Sequence, residues 1–454
     1  MRNFFKNILK SLTYKPNVMH RTITLFLVIS IGFSSLLFIV LCLKITPKTS
    51  DDYVHIAQTI VFALGILTGS IVAAMSYRNH LIKEVDATNK RFNEAVNALC
   101  DKEIFVRMQG VFALQRLAFN APDADEAQNV LDVLCTYLRR ERHIEKSDEE
   151  LEKKLDDDCL AIISAIQNIT SKYKKLHVDL SSTDLNEANL SEADLEGATL
   201  KYANLEKANL WHANLREAKL WNADLENANL EKADLREADL IETNLIEANL
   251  ENARLENARL EKAKLCKANL CKANLCKADL ENSNLEKADL READLWNADL
   301  RFASLEGANL WHANLREAKL EGATLKYANL EKANLWHANL REAKLWNADL
   351  ENANLEKADL READLWNADL ENSNLEKADI READLWNADL RFASLEGANL
   401  EGANLRNANL EKAYLEYANL KGANLEEARL EGARIDEFTK FSPGVRKKFF
   451  PDFE

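Results

Sequence analysis

Residues 341–360 read REAKLWNADLENANLEKADL, residues 361–380 read READLWNADLENSNLEKADI, and residues 381–390 begin the same text again with READLWNADL. Beneath this period of 20 lies a shorter one. From Leu180 to Ile435 every position ending in 0 or 5 is Leu, except Ile380 and Ile435. Nearly every position ending in 3 or 8 is Ala, with Thr183, Thr243 and Ser283 among the few small substitutes, and the residue between is usually Asn or Asp. The unit A-(D/N)-L-x-x recurs about 52 times. A helix needs apolar spacing near 3.6, and a period of five does not keep one helical face apolar. A repeat this regular decides the architecture before local propensity does.

A five-residue period suits a chain that turns a corner in every unit. Leu fills the interior, Ala stands where the wall is crowded, and the two variable residues face water. Four units close a square coil of 20 residues, and coils stack by backbone hydrogen bonding at about 4.8 Å. About thirteen such coils make a stiff rod about 60 Å long. Its ends expose unpaired strand edges and need caps.

Over about 256 residues this run resembles the pentapeptide-repeat family. The resemblance implies a mainly β fold, a right-handed quadrilateral parallel β-helix. Ahead of it, two apolar runs followed by VRMQGVFALQRLA (106–118) and VLDVLCTYLRRER (130–142) look like the front end of bacterial membrane-anchored members. The expected order is a basic amphipathic segment (1–21), transmembrane helices at 22–43 and 54–77, and a cytoplasmic α-helical domain (78–176). A pentapeptide-repeat β-helix (177–437) and an aromatic C-terminal cap (438–454) follow.

The membrane reading rests on Thr22–Leu43 and Val54–Tyr77, apolar runs without Asp, Glu, Lys or Arg. Each is long enough to cross a bilayer as a helix, which takes about 20 residues. The length of the first run, with no small-residue cleavage site after it, argues against a cleaved signal peptide. Arg2, Lys6, Lys10, Lys15 and Arg21 precede the first run, and Arg78, Lys83, Lys90 and Arg91 follow the second. Two spans make a multi-pass protein, the positive-inside rule places both termini and the repeat in the cytoplasm, and the resemblance implies the bacterial inner membrane. Phe4, Phe5, Ile8, Leu9 and Leu12 share one helical face that suits the headgroup layer.

Between membrane and repeat the periodicity is helical. Val106, Val111, Leu114 and Leu117 mark one amphipathic stretch. Val130, Leu131, Val133, Leu134, Tyr137 and Leu138 mark a second, with Asp123–Glu126 offering an N-terminal cap, and Leu160, Ile162, Ile163, Ile166 and Ile169 mark a third. Cys100, Cys135 and Cys159 sit on apolar faces and read as buried, inert thiols.

The stretch in register with the coil supplies the candidate partner-binding face. Trp346, Trp366 and Trp386 are expected to stack about 5 Å apart, beside Asn347, Asn367 and Asn387, with Arg341, Arg361 and Arg381 as a ladder on the adjoining face. Exposed aromatics and arginines are favoured at binding hot spots. Cys266, Cys271 and Cys276 fall on successive faces and diverge, whereas a metal needs converging ligands. His212, His312 and His337 lie far apart along the rod. Phosphate loops, catalytic-triad spacing and Rossmann glycines are absent from the sequence, so neither an enzyme, a cofactor nor a metal is expected.

Other long-range copies are out of register. Residues 196–240 recur unchanged at 321–365, an offset of 125, which puts the copies on different faces. The chain is acidic, net −16, which argues against general nucleic-acid binding. The expected function is a non-enzymatic, membrane-anchored scaffold that displays the rod to an unidentified protein partner, with the lipid bilayer as a second partner. Phe438, Phe441, Phe449, Phe450 and Phe453 either cap the last coil or pair two copies of the chain in a homodimer. Family resemblance supplies an alternative, an acidic DNA mimic that binds a type II topoisomerase. Residues 181–440 hold 33 Lys and Arg against 52 Asp and Glu. That is about half the charge density of a duplex of equal length, and two membrane spans would hold the mimic away from the nucleoid. A secreted effector that inserts into another cell's membrane is the remaining reading.

Overall fold

The computed structural model describes residues 49–143 and 156–451. The expected segment 1–21, the first span at 22–43 and Phe453 lie outside the described residues. The chain divides into two compact units, residues 1–101 and 102–454.

In the first unit one α-helix, α1, runs Ser50–Leu99. It is the one helix among the described residues long and apolar enough to cross a membrane, and the side chains of its apolar stretch are unburied. The boundary expected between a span ending at 77 and a domain starting at 78 falls inside this helix. The apolar stretch passes into polar sequence without a break, because no Pro or Gly interrupts residues 70–99. Asp52 closes a capping box on Thr49 at the start.

The second unit opens with three packed helices, α2 (Ile104–Phe119), α3 (Ala124–Glu141) and α4 (Asp157–Lys172). Their buried faces use the expected apolar residues: Val111 and Leu114, then Val130, Leu131, Leu134 and Leu138, then Ile162, Ile163, Ile166 and Ile169. Asp123 caps α3 by accepting from the Glu126 amide at 2.9 Å. Leu160 is exposed. Cys135 and Cys159 are buried, but Cys100 is exposed, because it is the C-cap residue beyond the last turn of α1.

The bridges between successive coils, from Asp179↔Thr199 to Tyr414↔Arg434, are parallel and join residues 20 apart. This is a coil of four five-residue sides. The Leu and Ala columns are buried from Leu180 to Leu430, apart from the half-buried Ala423 in the final coils. Two hydrogen bonds explain the unit. Each Leu amide donates to the coil below, as Leu210 does to the Asn229 carbonyl at 2.7 Å. Each Ala amide donates back to the Leu three residues earlier, as Ala213 does to Leu210 at 3.0 Å. The second variable residue between them has φ near +57° in nearly every unit. A bond from i+3 to i with positive φ only at i+2 is a type II turn, so every corner is the same turn. Two of the small polar residues in the Ala column bond backbone carbonyls: Thr243 donates to the Leu220 carbonyl of the preceding coil and Ser373 to that of Leu370.

Both ends of the coil are covered. At the start, Arg142 is buried and pairs with Asp184 at 2.6 Å, while its carbonyl accepts from the Asp184 amide. Gln128 exchanges two bonds of 2.8 Å with the His177 backbone, and Arg139 pairs with Asp179. At the finish, strand β1 (Asn419–Leu420) pairs in parallel with β2 (Lys440–Phe441), followed by α5 (Val445–Phe449). Asp436 accepts from the amides of Tyr417, Phe438 and Thr439. Phe438 stacks on Tyr417, with ring centroids 5.1 Å apart.

Candidate functional site

All eight tryptophans lie in the coil, at the first variable position of a unit. That position is the i+1 residue of a type II turn, so an indole there stands at a corner and leans along the wall. Three of them share a corner. Trp346 and Trp366 have ring centroids 5.9 Å apart, and Trp366 and Trp386 5.5 Å. Tyr327 extends the stack to Trp346 at 5.8 Å. The rings are tilted by 33° to 50° rather than parallel, and Trp366 is 37% exposed.

Asn347, Asn367 and Asn387 are the next residues and occupy the positive-φ position of the same turns, which Asn tolerates. Their side chains form an amide ladder: Asn367 donates to Asn347 at 3.3 Å and Asn387 to Asn367 at 2.7 Å.

Arg341, Arg361 and Arg381 stack on the preceding corner, but their charge is spent there. Arg341 pairs with Glu342 and Glu362 at 3.2 and 3.1 Å, Arg361 with Asp359 at 2.5 Å, and Arg381 with Asp379 at 2.6 Å. Burial opposes ionisation of Asp359, and the Arg361 guanidinium with its amide outweighs it, holding the carboxyl below the usual range. The arginine ladder is thus solvent-accessible but already paired within the chain. At the Trp and Asn corner, Trp366 and Asn387 are exposed and Trp346, Asn347, Asn367 and Trp386 are half-buried.

The walls that meet at this corner are acidic. The Trp366 and Trp386 amides donate to Asp364 and Asp384 at 3.3 and 3.1 Å. On the following wall Asp349, Asp369 and Asp389 stack in turn. One carboxylate group there, Asp369, Glu371 and Asp389, has ligand atoms within 4.8 Å of one another, but Arg391 pairs with both Glu371 and Asp389.

The cysteines of the coil do not converge. Cys266, Cys271 and Cys276 occupy three successive corners, and burial pushes the thiols of Cys271 and Cys276 up. His212, His312 and His337 each sit beside the Trp of their own turn, with ring centroids 5.0 to 5.3 Å apart.

A polar cluster in the helical region escapes sequence reading. Asp158 is buried and accepts from Arg107 at 2.6 Å and from the Tyr137 hydroxyl at 3.1 Å, tying α4 to α2 and α3. Burial pushes the Tyr137 hydroxyl up, with the Asp158 charge adding to it. Arg107, Tyr137 and Asp158 are 30 and 21 positions apart, and no motif marks them.

A family profile described as Pentapeptide repeats (8 copies) matches residues 177–211 and 213–252 and, in overlapping stretches, continues to residue 432. The chain is 34% identical to the solved structure of HetL, described as a pentapeptide repeat protein involved in heterocyst differentiation regulation, from the cyanobacterium Nostoc sp. strain PCC 7120. That likeness covers 55% of this chain and 89% of that one, with a TM-score of 0.25. It is 40% identical to a pentapeptide repeat protein from the cyanobacterium Cyanothece 51142, over 25% of this chain and 87% of that one, with a TM-score of 0.22. No curated protein matches the chain.

Proposed function

This chain belongs to the pentapeptide-repeat family, and we propose that it acts as a non-enzymatic scaffold, anchored in the bacterial inner membrane, that displays its coil in the cytoplasm to a protein partner. The observation that carries the reading is the partly exposed stack of Trp346, Trp366 and Trp386 on a capped coil. Such rings gain free energy by leaving water and bring little side-chain entropy to lose. The unburied apolar stretch of α1 and the apolar run at 22–43 support the anchor. The basic residues that flank them give the orientation.

The test is affinity purification from gently solubilised membranes, comparing the wild type with the W346A/W366A/W386A variant. The expected result is a protein recovered with the wild type and lost with the variant. Recovery of no specific protein with the wild type overturns the scaffold reading. Equal recovery from both keeps a scaffold and removes the Trp corner from it.

A further inference from the structure

Among the described residues, six of the eight tryptophans carry a cation of the chain itself over the ring. Lys326 lies 4.1 Å from the Trp346 centroid, Lys277 4.9 Å from Trp296 and Arg316 5.0 Å from Trp336. Lys201, Lys232 and Lys332 lie over Trp221, Trp211 and Trp311 at 5.7 to 6.0 Å. Trp366 and Trp386 carry none. Indole faces attract cations, Trp most strongly among the aromatic side chains, and on this coil the rule holds for every Trp except the two adjacent rungs of the ladder.

The same two rungs stand out by charge. Among the described residues, five bridges of the coil place Asp directly over Asp, and four of them fall within residues 349–389. Most other Asp residues in the bridge column face Asn, Thr, Lys or Arg in the next coil, and the Asn often donates, as Asn244 does to Asp224 at 2.9 Å; at the ladder's margins Asp364 bridges Lys344 and Asp384 accepts from Asn404 at 2.8 Å. One stack, Asp359 over Asp379, is neutralised by Arg361 and Arg381. The other three flank the Trp corner: Asp364 over Asp384 on one wall, and Asp349, Asp369 and Asp389 on the next. Only Asp389 of these five takes part in an ion pair among the described residues. Like charges directly opposite on neighbouring strands oppose each other. Burial, with the charges of Asp369 and Glu331, pushes the Asp349 carboxyl up.

From this we infer that the corner formed by Trp366 and Trp386, between the stacked aspartates of its two walls, is the docking site for a short extended peptide segment rich in Arg or Lys on the partner. The inference rests on the scaffold reading above and gives that partner its chemistry. The charge complementarity is specific. The neighbouring rings cover part of each indole; the accessible remainder of Trp366 and Trp386 takes a guanidinium or ammonium from outside the chain, and the aspartate columns supply the opposing charge. The corner is bounded by cations of the chain at both ends, with Lys326 over Trp346 and Arg406 as the rung below Trp386. The open length is therefore about two coil spacings, or 10 Å, the reach of about three extended residues.

The test uses the full chain in detergent micelles and a fluorescein-labelled nonapeptide of alternating Arg and Ser, with alternating Glu and Ser as control. Binding is read by fluorescence anisotropy against the wild type, W346A/W366A/W386A and D364N/D369N/D384N, with circular dichroism reporting the fold of each. The expected result is binding of the Arg peptide only, weakened by salt and about tenfold weaker in each triple variant. Equal affinity for the wild type and the Trp variant shows charge attraction without the ladder and overturns the inference. So does equal affinity for the Asp variant, or no binding by the wild type. A partner captured through the Trp corner from membranes, together with a silent Arg peptide, rejects this inference and leaves the scaffold reading standing.

Discussion

Gly197 and Gly322 hold the same turn position with φ +66°, but different surroundings. A Cβ added at Gly197 meets nothing within 4 Å, whereas at Gly322 it would lie 2.7 Å from the Phe302 ring one coil earlier. Gly197→Ala therefore costs only the left-handed conformation, about 1 kcal/mol. Gly322→Ala costs that and the displacement of the ring, about 2 kcal/mol in all. Urea unfolding of the two variants checks the order, and equal losses would show that the ring moves freely. The sequence carries a signal for this turn. Every glycine of the repeat, and many of its asparagines, fall at positions ending in 2 or 7, the residues that accept positive φ. Period alone predicts a corner, and this placement gives its type. A second residue-scale outcome concerns Asp349. Its stacked and partly buried charge opposes folding, so Asp349→Asn stabilises the coil by about 0.5 kcal/mol at neutral pH. The sign is set by its raised pKa: the charge penalty is present above the native pKa and disappears as the carboxyl protonates. The gain should thus shrink as the pH of the urea titration falls toward 4.

The helical cap concentrates its hold in a few pairs. Arg142 has 2% of its side chain exposed and pairs with Asp184 at 2.6 Å. Arg142→Leu removes the cation and leaves a carboxylate against the cap, at a cost of about 3 kcal/mol. In a coil whose stability is summed between neighbouring repeats the loss stays local. Hydrogen exchange should therefore speed up at the Leu185 and Leu190 amides and hold steady at Leu355. Uniform acceleration would mean that the whole coil unfolds as one unit. Acid should loosen the same place. Burial opposes ionisation of Asp179, but Ser181 and Arg139 outweigh it and lower its pKa. A lowered carboxylate stabilises fully above its unfolded value near 3.8 and loses that contribution as pH falls through the native value. Protection of the first coil should accordingly hold above pH 4 and decline below it. The apolar periodicity of α2, α3 and α4 makes these helices legible in the sequence. Their polar ties are not, because Arg107, Tyr137 and Asp158 meet only through the packing of three helices. The reach of α1 to Leu99 is also missed when apolar content alone marks its end, since a helix stops at a breaker and not at a change of polarity.

Register governs what the whole coil can display. Residues 196–240 recur at 321–365, six coils and one corner further on. Tyr202 and Trp221 meet at 5.2 Å on one corner, and their copies Tyr327 and Trp346 at 5.8 Å on the next. Below Trp221 the next rung is Ile241, while below Trp346 come Trp366 and Trp386. The core accepts a block on any corner, because every unit brings its own Leu and Ala. A ladder forms only where text repeats at 20, and the same repetition sets Asp over Asp. The Trp spacing is therefore legible in the sequence. Which charges remain unpaired is less so: Arg361 and Arg381 pair with the Asp two positions earlier, but Arg341 with Glu362 and Arg391 with Glu371 meet only between coils. This separation of core from display can be tested directly. Insertion of Glu-Asn-Ala-Asn-Leu between Leu375 and Glu376 moves every later residue by one corner, keeps Leu and Ala inside, and carries Trp386 away from Trp366. The same insertion between Leu300 and Arg301 turns the ladder as a whole and leaves it intact. Both variants should unfold at the wild-type urea midpoint. The first should bind the Arg peptide about threefold more weakly, the loss of one exposed cation–ring contact, and the second should bind as the wild type does. Equal weakening by both would place the docking surface in the alignment of the corner with the rest of the rod. No weakening by either would show that neighbouring rungs bind independently and that the ladder is not read as a unit.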